Sequence, residues 1–362
     1  MILLNDFQRQ WTDTRIDVLA AVDTVGSSGW YILGQEVEEF ENALAAYWNA
    51  PHVVGVASGL DALELSLKAL GCGRGDRVLT TPLSAFATTL AILKLGAIPV
   101  FADCDAYGLI NLNQCREILR ARADIRYFVP VHLYGNSLDP TALRALRDDF
   151  DLKMVEDCAQ SIVAISGQMA ATSFYPTKNL GAFGDGGAVA TASEDLAERV
   201  RCLRDYGQES KYRHTEIGYN SRLDELQAAI LRRVQLPRLS AWNQQRSSIA
   251  ERYRRGIRHQ DIVLIGSPDE SRSCWHLFPV LVTPGRKPHF MAWLKNRGVG
   301  CGEHYPILIP EQAAMKTADH EVIGDCSQAK RIALAEVSLP IHPYLTEDEI
   351  GRVIDSCNEW PG

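Results

Sequence analysis

The sequence predicts an α/β protein, a largely parallel sheet held between helices and followed by a smaller α+β C-terminal domain. Three observations carry that expectation. Short β-rich runs alternate with helical patterns from Val53 onward. Several runs are almost continuously apolar, as strands covered on both faces must be. A helical pattern that starts at Leu223 is interrupted by Pro237, and a shorter mix of elements follows it.

Taken in order, an N-terminal helical segment precedes VVGVAS from Val53, which turns into the helical pattern GLDALELSLKAL from Gly59. RVLTTP from Arg77 leads into SAFATTLAILKLG from Ser84, and IPVFAD from Ile98 follows. YFVPVHLYG from Tyr127 comes before the amphipathic PTALRALRDDF from Pro140, and KMVEDC starts at Lys153. ATSFY from Ala171 and GGAVAT from Gly186 complete seven strands. A Gly-rich stretch without helical periodicity joins those last two, so they are expected to pair antiparallel or irregularly. Proline in a helix interior forces a kink or break, which places a domain boundary near Pro237: residues 1–236 as the large domain and 237–362 as the small one. Near the C-terminus, Thr346 and Glu349 have the spacing of a capping box.

Composition narrows the function. The chain has 362 residues, 46% of them apolar, and a formal net charge of −8, which offers no global attraction to nucleic acid or an anionic membrane. Any phosphate must therefore be held by a local site. Nine cysteines without a CxxC pair point to reduced thiols and a cytoplasmic protein. MILLNDFQRQW meets Asn5, Asp6 and Arg9 too soon for a signal peptide, and no stretch approaches the ~18 apolar residues of a membrane span. The histidines lack HxxxH or HExxH spacing, so no metal site is expected.

Four groups stand where a parallel sheet presents ligands, at strand ends facing helix N-termini. Ser58-Gly59-Leu60-Asp61 can bring backbone N–H groups close to a phosphate, or can be a plain tight turn. Glu156-Asp157-Cys158-Ala159-Gln160 offers a carboxylate that could pair with a protonated pyridine nitrogen, or two acids that cap the next helix. SFYPTKNLGAFGDGGAV sets Lys178 among aromatic and glycine residues, where desolvation can lower its pKa for imine chemistry; a solvated surface lysine would not explain that surround. Phe86 could stack on a flat cofactor or simply join the core.

With these residues in place, the chain resembles the DegT/DnrJ/StrS family of nucleotide-sugar aminotransferases. Nine ordered segments carry the resemblance over nearly the whole length: SGLDAL, PLSAFATT, PVHLYG, EDCAQS, SFYPTKNLGAFGDGGAV, LRDYGQESKY, GYNSRLDELQAAIL, EHYPI and LPIHPYLTEDE. The resemblance implies the aspartate-aminotransferase fold of type I enzymes that use pyridoxal 5'-phosphate (PLP), with the aminated form (PMP) arising during turnover. It implies Lys178 as the Schiff-base lysine, Asp157 opposite the pyridine nitrogen and Gln160 bonded to the ring hydroxyl oxygen. Phe86 would stack on the ring, while Ser173 and the backbone at Gly59, Leu60 and Asp61 would hold the phosphate. Asn220 would reach that phosphate from the neighbouring subunit of a homodimer. Leu60 departs from the Thr or Ser usual in the family, which removes a hydroxyl contact to the phosphate.

The implied reaction moves an amino group from glutamate to a nucleotide-linked keto-sugar, with Lys178 as general acid and base. Tyr175 within SFYPTKNLGA resembles members that aminate C3 of thymidine-diphosphate 3-keto-6-deoxyhexoses, whereas many C4-directed members have His there. Tyr175, Lys211, Tyr212, His304 and Tyr305 are the candidate substrate contacts. An aminotransferase for a 4-keto sugar or a cyclitol is the nearest alternative, and a cofactor-binding regulator is the non-enzyme one. A dehydratase branch resembles the chain with His in place of Lys178.

Overall fold

The computed structural model describes residues 1–162, 165–269 and 273–362. Two helices open the chain, α1 (Phe7–Ser28) and α2 (Gln35–Trp48). Alternation then sets in: β1 (His52–Val56), α3 (Gly59–Ala69), β2 (Arg77–Thr80), α4 (Phe86–Lys94), β3 (Ile98–Phe101), α5 (Leu112–Ala121), β4 (Ile125–Phe128), α6 (Pro140–Asp149) and β5 (Lys153–Asp157). β6 (Met169–Ser173), β7 (Gly187–Thr191), α7 (Glu194–Arg204) and a hairpin of β8 (Gln208–Ser210) and β9 (Arg213–His214) follow. Several helices start where their sequences supply side-chain caps. Ser58 accepts from the Asp61 N–H, Asp139 from Thr141 and Ser193 from Leu196, each satisfying a donor that the first turn leaves open.

The main sheet runs in the order β1-β7-β6-β5-β4-β2-β3, and β7 alone is antiparallel to its neighbours. The expected antiparallel pairing of the last two runs is present, Met169 opposite Thr191 through Ser173 opposite Gly187. β2, β3, β6 and β7 have no exposed residues, and β5 is buried after its first residue, matching their apolar runs. Between β6 and β7, Phe174 is fully buried and meets Phe40 edge-on at 5.3 Å. Burying one such ring contributes about 1.5–3 kcal/mol and anchors the loop that carries Lys178.

Beyond the sheet, α8 (Glu225–Ile230) runs through a π-turn at Leu231–Gln235 into α9 (Leu236–Gly256). Pro237 therefore does not break the helix. It sits at the start of α9, where its missing N–H follows the widened turn, and the Arg238 guanidinium donates to the Val234 carbonyl at 2.8 Å. A separate three-stranded antiparallel sheet joins β10 (Ile262–Leu264), β11 (Phe278–Val282) and β13 (Glu336–Leu339). With α10 (Lys287–Asn296) and α12 (Glu347–Asn358), it encloses a second core around Phe278, Phe290, Val337 and Val353. The Thr346–Glu349 capping box is present on α12.

Two links cross between these parts. A short strand, β12 (Glu321–Val322), precedes α11 (Ser327–Ala335) and adds an eighth, parallel strand to the main sheet beside β3. Two residues are too few to leave an apolar run, which is why the sequence pattern has seven. At the other end, Ile2 is buried and pairs in parallel with Val299. Among the described residues no helix is long and apolar enough to cross a membrane.

Candidate active site

The carboxyl ends of β1, β5 and β6 converge with the loop after β4. At the end of β5, two adjacent acids point in opposite directions, as strand alternation requires. Glu156 is fully buried on the far side: Oε1 accepts from the Ser166 and Gly167 N–H groups at 2.5 and 2.8 Å, and Oε2 lies 3.1 Å from His132 Nε2. Asp157 faces the site, and its Oδ2 accepts from Thr88 Oγ1 at 2.8 Å and its Oδ1 from the Ala159 N–H at 3.0 Å. The pair thus divides into one structural carboxylate and one aimed at a ligand.

Gly59 comes so close to β6 that a Cβ there would lie 2.5 Å from Ser173 Cβ, so only glycine brings the start of α3 against Ser173. The Gly59 and Leu60 N–H groups belong to a first helical turn and have no intrahelical acceptor. The Asp61 N–H donates to Ser58 Oγ at 3.1 Å, while the Asp61 carboxylate accepts from Ser221 Oγ at 2.6 Å.

Lys178 follows β6 in a tight turn, its N–H bonded to the Tyr175 carbonyl at 2.8 Å. It borders two adjoining pockets, one shared with Gln160, Ser173 and Cys274, the other with Asp6, Arg246 and His342. Burial pushes its amine below the ordinary lysine value, against the pull of Asp157 and Cys274. Asn179, the next residue, fastens this turn to the C-terminal part. Its Nδ2 donates to Asn243 Oδ1 at 2.8 Å and to the Cys274 carbonyl at 2.9 Å, and its Oδ1 lies 3.1 Å from His276 Nδ1. Burial, then the Lys178 charge, drives the His276 pKa well down.

Gln160 is clamped at both ends: Oε1 accepts from the Tyr134 N–H at 2.6 Å, and Nε2 donates to the Tyr305 hydroxyl at 3.2 Å. Tyr134 adopts a positive φ of 65° to present that N–H, and its hydroxyl donates to the His304 carbonyl at 2.6 Å. His304 and Tyr305 are thereby brought to the site. Phe86, the first residue of α4, is half-buried and packs against Phe101, Ile309 and Met315. Tyr175 is half exposed beside the Lys178 turn. Lys211 and Tyr212 form the tip of the β8–β9 hairpin, with the Lys211 ammonium 5.3 Å from the Tyr212 ring, and share neither pocket that Lys178 borders. Asn220 is exposed and bridges to Asp205.

Thr88, Tyr134, Asn179 and Cys274 were not singled out by the sequence reading, although the first three lie inside the quoted segments. Cys274 and His276 stand in SRSCWHLFP, which carries no motif, so nothing local could have marked them. A roomier cavity of about 770 Å³ lies elsewhere, along α2, β1 and the end of α7, around the buried Glu41–Arg204 ion pair. It contains no lysine and is not the site of amine chemistry.

Known proteins of the same shape can be set beside this geometry. The sequence model of the DegT/DnrJ/EryC1/StrS aminotransferase family matches residues 13–358. A dTDP-3-amino-3,4,6-trideoxy-alpha-D-glucose transaminase of Streptomyces venezuelae is 39% identical, covering 98% of this chain and 95% of that protein. A dTDP-3-amino-3,6-dideoxy-alpha-D-galactopyranose transaminase of Aneurinibacillus thermoaerophilus is 38% identical over 95% of each. The crystal structure of S. venezuelae DesV in complex with a ketimine intermediate superposes with a TM-score of 0.93 at 39% identity, covering 99% of this chain and 98% of that one.

Proposed function

Because the chain belongs to the DegT/DnrJ/EryC1/StrS aminotransferase family, we propose that this enzyme moves an amino group from L-glutamate to C3 of a dTDP-3-keto-6-deoxyhexose. The observation that carries the reading is a desolvated Lys178 facing the Asp157 carboxylate at the mouth of a parallel sheet. The cofactor is pyridoxal phosphate, and the residues present fit it. Only glycine fits between Ser58 and Ser173, open N–H groups line the start of α3, and the site holds an amine whose pKa burial lowers and a carboxylate held by two hydrogen bonds.

When bound, pyridoxal phosphate supplies an aldehyde and an electron-poor ring that accepts the electron pair left as a C–H proton departs. Gly59, Leu60 and Ser173 hold its phosphate in this reading, and Phe86 flanks its ring. Asp157 keeps the ring nitrogen protonated, and Thr88 and the Ala159 N–H keep that carboxylate in place. Lys178, whose pKa burial lowers, would take up and return the proton. Gln160 ties Tyr134 to Tyr305, and Tyr175, His304 and Tyr305 approach the sugar. Lys211 and Tyr212 meet the diphosphate, where a mobile cation suits two negative charges.

We further propose a cytoplasmic homodimer in which Asn220 reaches the phosphate of the second copy, with residues 1–236 as the cofactor-holding unit and 237–362 as the smaller one. The outer face of α1 supports a partner, since Phe7, Trp11, Ile16, Leu19 and Val22 are all exposed there. Nine cysteines free of disulfides suit the reducing compartment.

The test is the visible spectrum of the purified protein, followed first with glutamate and then with 3-keto and 4-keto nucleotide sugars. Glutamate should bleach the aldehyde band and the 3-keto sugar should restore it. Restoration by the 4-keto sugar alone would reassign the regiochemistry, and no response to glutamate would end the proposal.

A further inference from the structure

Glu336 opens β13 with a fully buried carboxylate, and nothing in the reaction described so far uses it. One of its oxygens, Oε2, accepts from the His304 N–H at 2.6 Å; the other, Oε1, accepts from the Ser338 hydroxyl at 2.5 Å. The same Ser338 Oγ lies 2.9 Å from His304 Nδ1. With the Tyr134 hydroxyl on its carbonyl, His304 is held at its N–H, its C=O and one ring nitrogen.

A serine hydroxyl has one hydrogen, and an ionised carboxylate only accepts. Ser338 therefore directs its hydrogen to Glu336 and can only accept from His304, so Nδ1 carries the imidazole hydrogen. The ring is neutral, because burial and then the Lys178 charge hold its pKa down to about 4. A neutral imidazole has one N–H, which leaves Nε2 bare. We propose that Glu336, acting through Ser338, fixes the tautomer of His304 so that Nε2 is a hydrogen-bond acceptor for the Lys178 amine. Glu336 is then a positioning residue, in an inference that rests on the aminotransferase reading. The opposite tautomer would present an N–H to the charged form of that amine and repel it.

The groups around this carboxylate set its pH response. Lys287 forms a 2.6 Å ion pair with Glu303 and favours the charged form of Glu336, while Glu303 opposes it; Cys301, Tyr134 and Tyr305 stand nearby. Burial outweighs them and brings the Glu336 pKa up to about 7. Below that value a protonated Glu336 donates to Ser338, whose hydrogen turns to Nδ1 and moves the ring hydrogen to Nε2. The acceptor is thus present on the alkaline side.

The test is nitrogen NMR of the full-length protein labelled with ¹⁵N-histidine at pH 8.5, with the His304 signals assigned by their loss in His304→Gln. The wild type should show a protonated Nδ1 and a bare Nε2. Glu336→Gln should reverse that pattern: the fixed His304 N–H demands the amide oxygen, which turns the NH₂ toward Ser338 and the serine hydrogen toward Nδ1. Should that variant fail to fold, Ser338→Ala takes its place and should let the Nε2–H form appear. In kinetics, Glu336→Gln should lower kcat by about tenfold or more with KM changed by less than roughly twofold, and erase a rise in rate through about pH 7. A wild type with Nε2–H, or a variant with unchanged ring signals, overturns the proposal. An inactive wild type with the expected ring signals would instead defeat the aminotransferase reading alone.

Discussion

Lys178 and Lys211 are the same residue in two regions that share almost nothing. The turn that carries Lys178 is bounded by the buried Phe174, fastened by Asn179 to Asn243 and Cys274, and faced by Asp157. The hairpin that carries Lys211 is exposed on both strands, and the lysine's partner there is the ring of Tyr212, itself 84% exposed. Burial shifts the first amine toward the neutral form that amine chemistry needs. An exposed ammonium stays a mobile point charge, suited to steering an anion. Packing around the side chain, not its identity, separates catalyst from counter-ion.

The largest expected effect comes from removing each lysine in turn. Lys178→Ala should leave the circular dichroism spectrum and melting curve close to wild type while turnover falls by on the order of 10³-fold or more. Lys211→Ala should change KM for the nucleotide sugar by only a few-fold, with kcat unaltered. Equal losses in the two variants would erase the contrast.

Next in size is Asp157→Asn, which keeps the shape and removes the charge opposite Lys178. Turnover should drop about 10²-fold, the order seen when one preorganised electrostatic contact is lost. The amine should also titrate lower, because the carboxylate now opposing desolvation is gone. An unchanged pH–rate profile would show that Asp157 does not act on the site.

Gly59→Ala probes the cradle rather than the charge. The new methyl would sit 2.5 Å from Ser173 Cβ and 3.1 Å from its Cα, so α3 must shift away from β6. Overpacking of this kind costs about 1–3 kcal/mol, and cofactor titration should show weaker retention. Full affinity would remove the start of α3 from the proposed phosphate site.

The smallest effect belongs far from the lysines, at the α12 cap. Arg9 hydrogen-bonds Glu349 at 2.6 and 2.7 Å and holds its carboxyl at about 2, below the ordinary 4.5. A lowered carboxyl adds stability above the unfolded value and loses it as pH falls from 4.5 toward 2. Arg9→Ala should therefore lower the melting temperature slightly at pH 7 and flatten its fall between those values. No change in that slope would mean the exposed pair contributes nothing.

Much of this molecule was legible in local sequence. Alternating apolar runs foretold the seven main strands, the Gly-rich stretch before Gly186 foretold the antiparallel turn of β7, and Thr346 with Glu349 foretold the α12 cap. Asp157 stood out at the end of an apolar strand, and Lys178 among the aromatic and glycine residues that follow one. Pro237 does not break the helix, because it falls at the start of α9 just after a π-turn. β12 was too short to read.

Periodicity, caps and turn residues act within a few positions along the chain, so the sequence by itself determined the order of strands and helices and the residues able to do amine chemistry. Which of two adjacent acids faces the amine, why Gln160 is held by Tyr134 and Tyr305, and how Glu336 meets His304 across 32 positions were decided only when the chain closed on itself. Desolvation and hydrogen bonding depend on distance in space, and the partners that set them come from strands and loops that no local pattern connects.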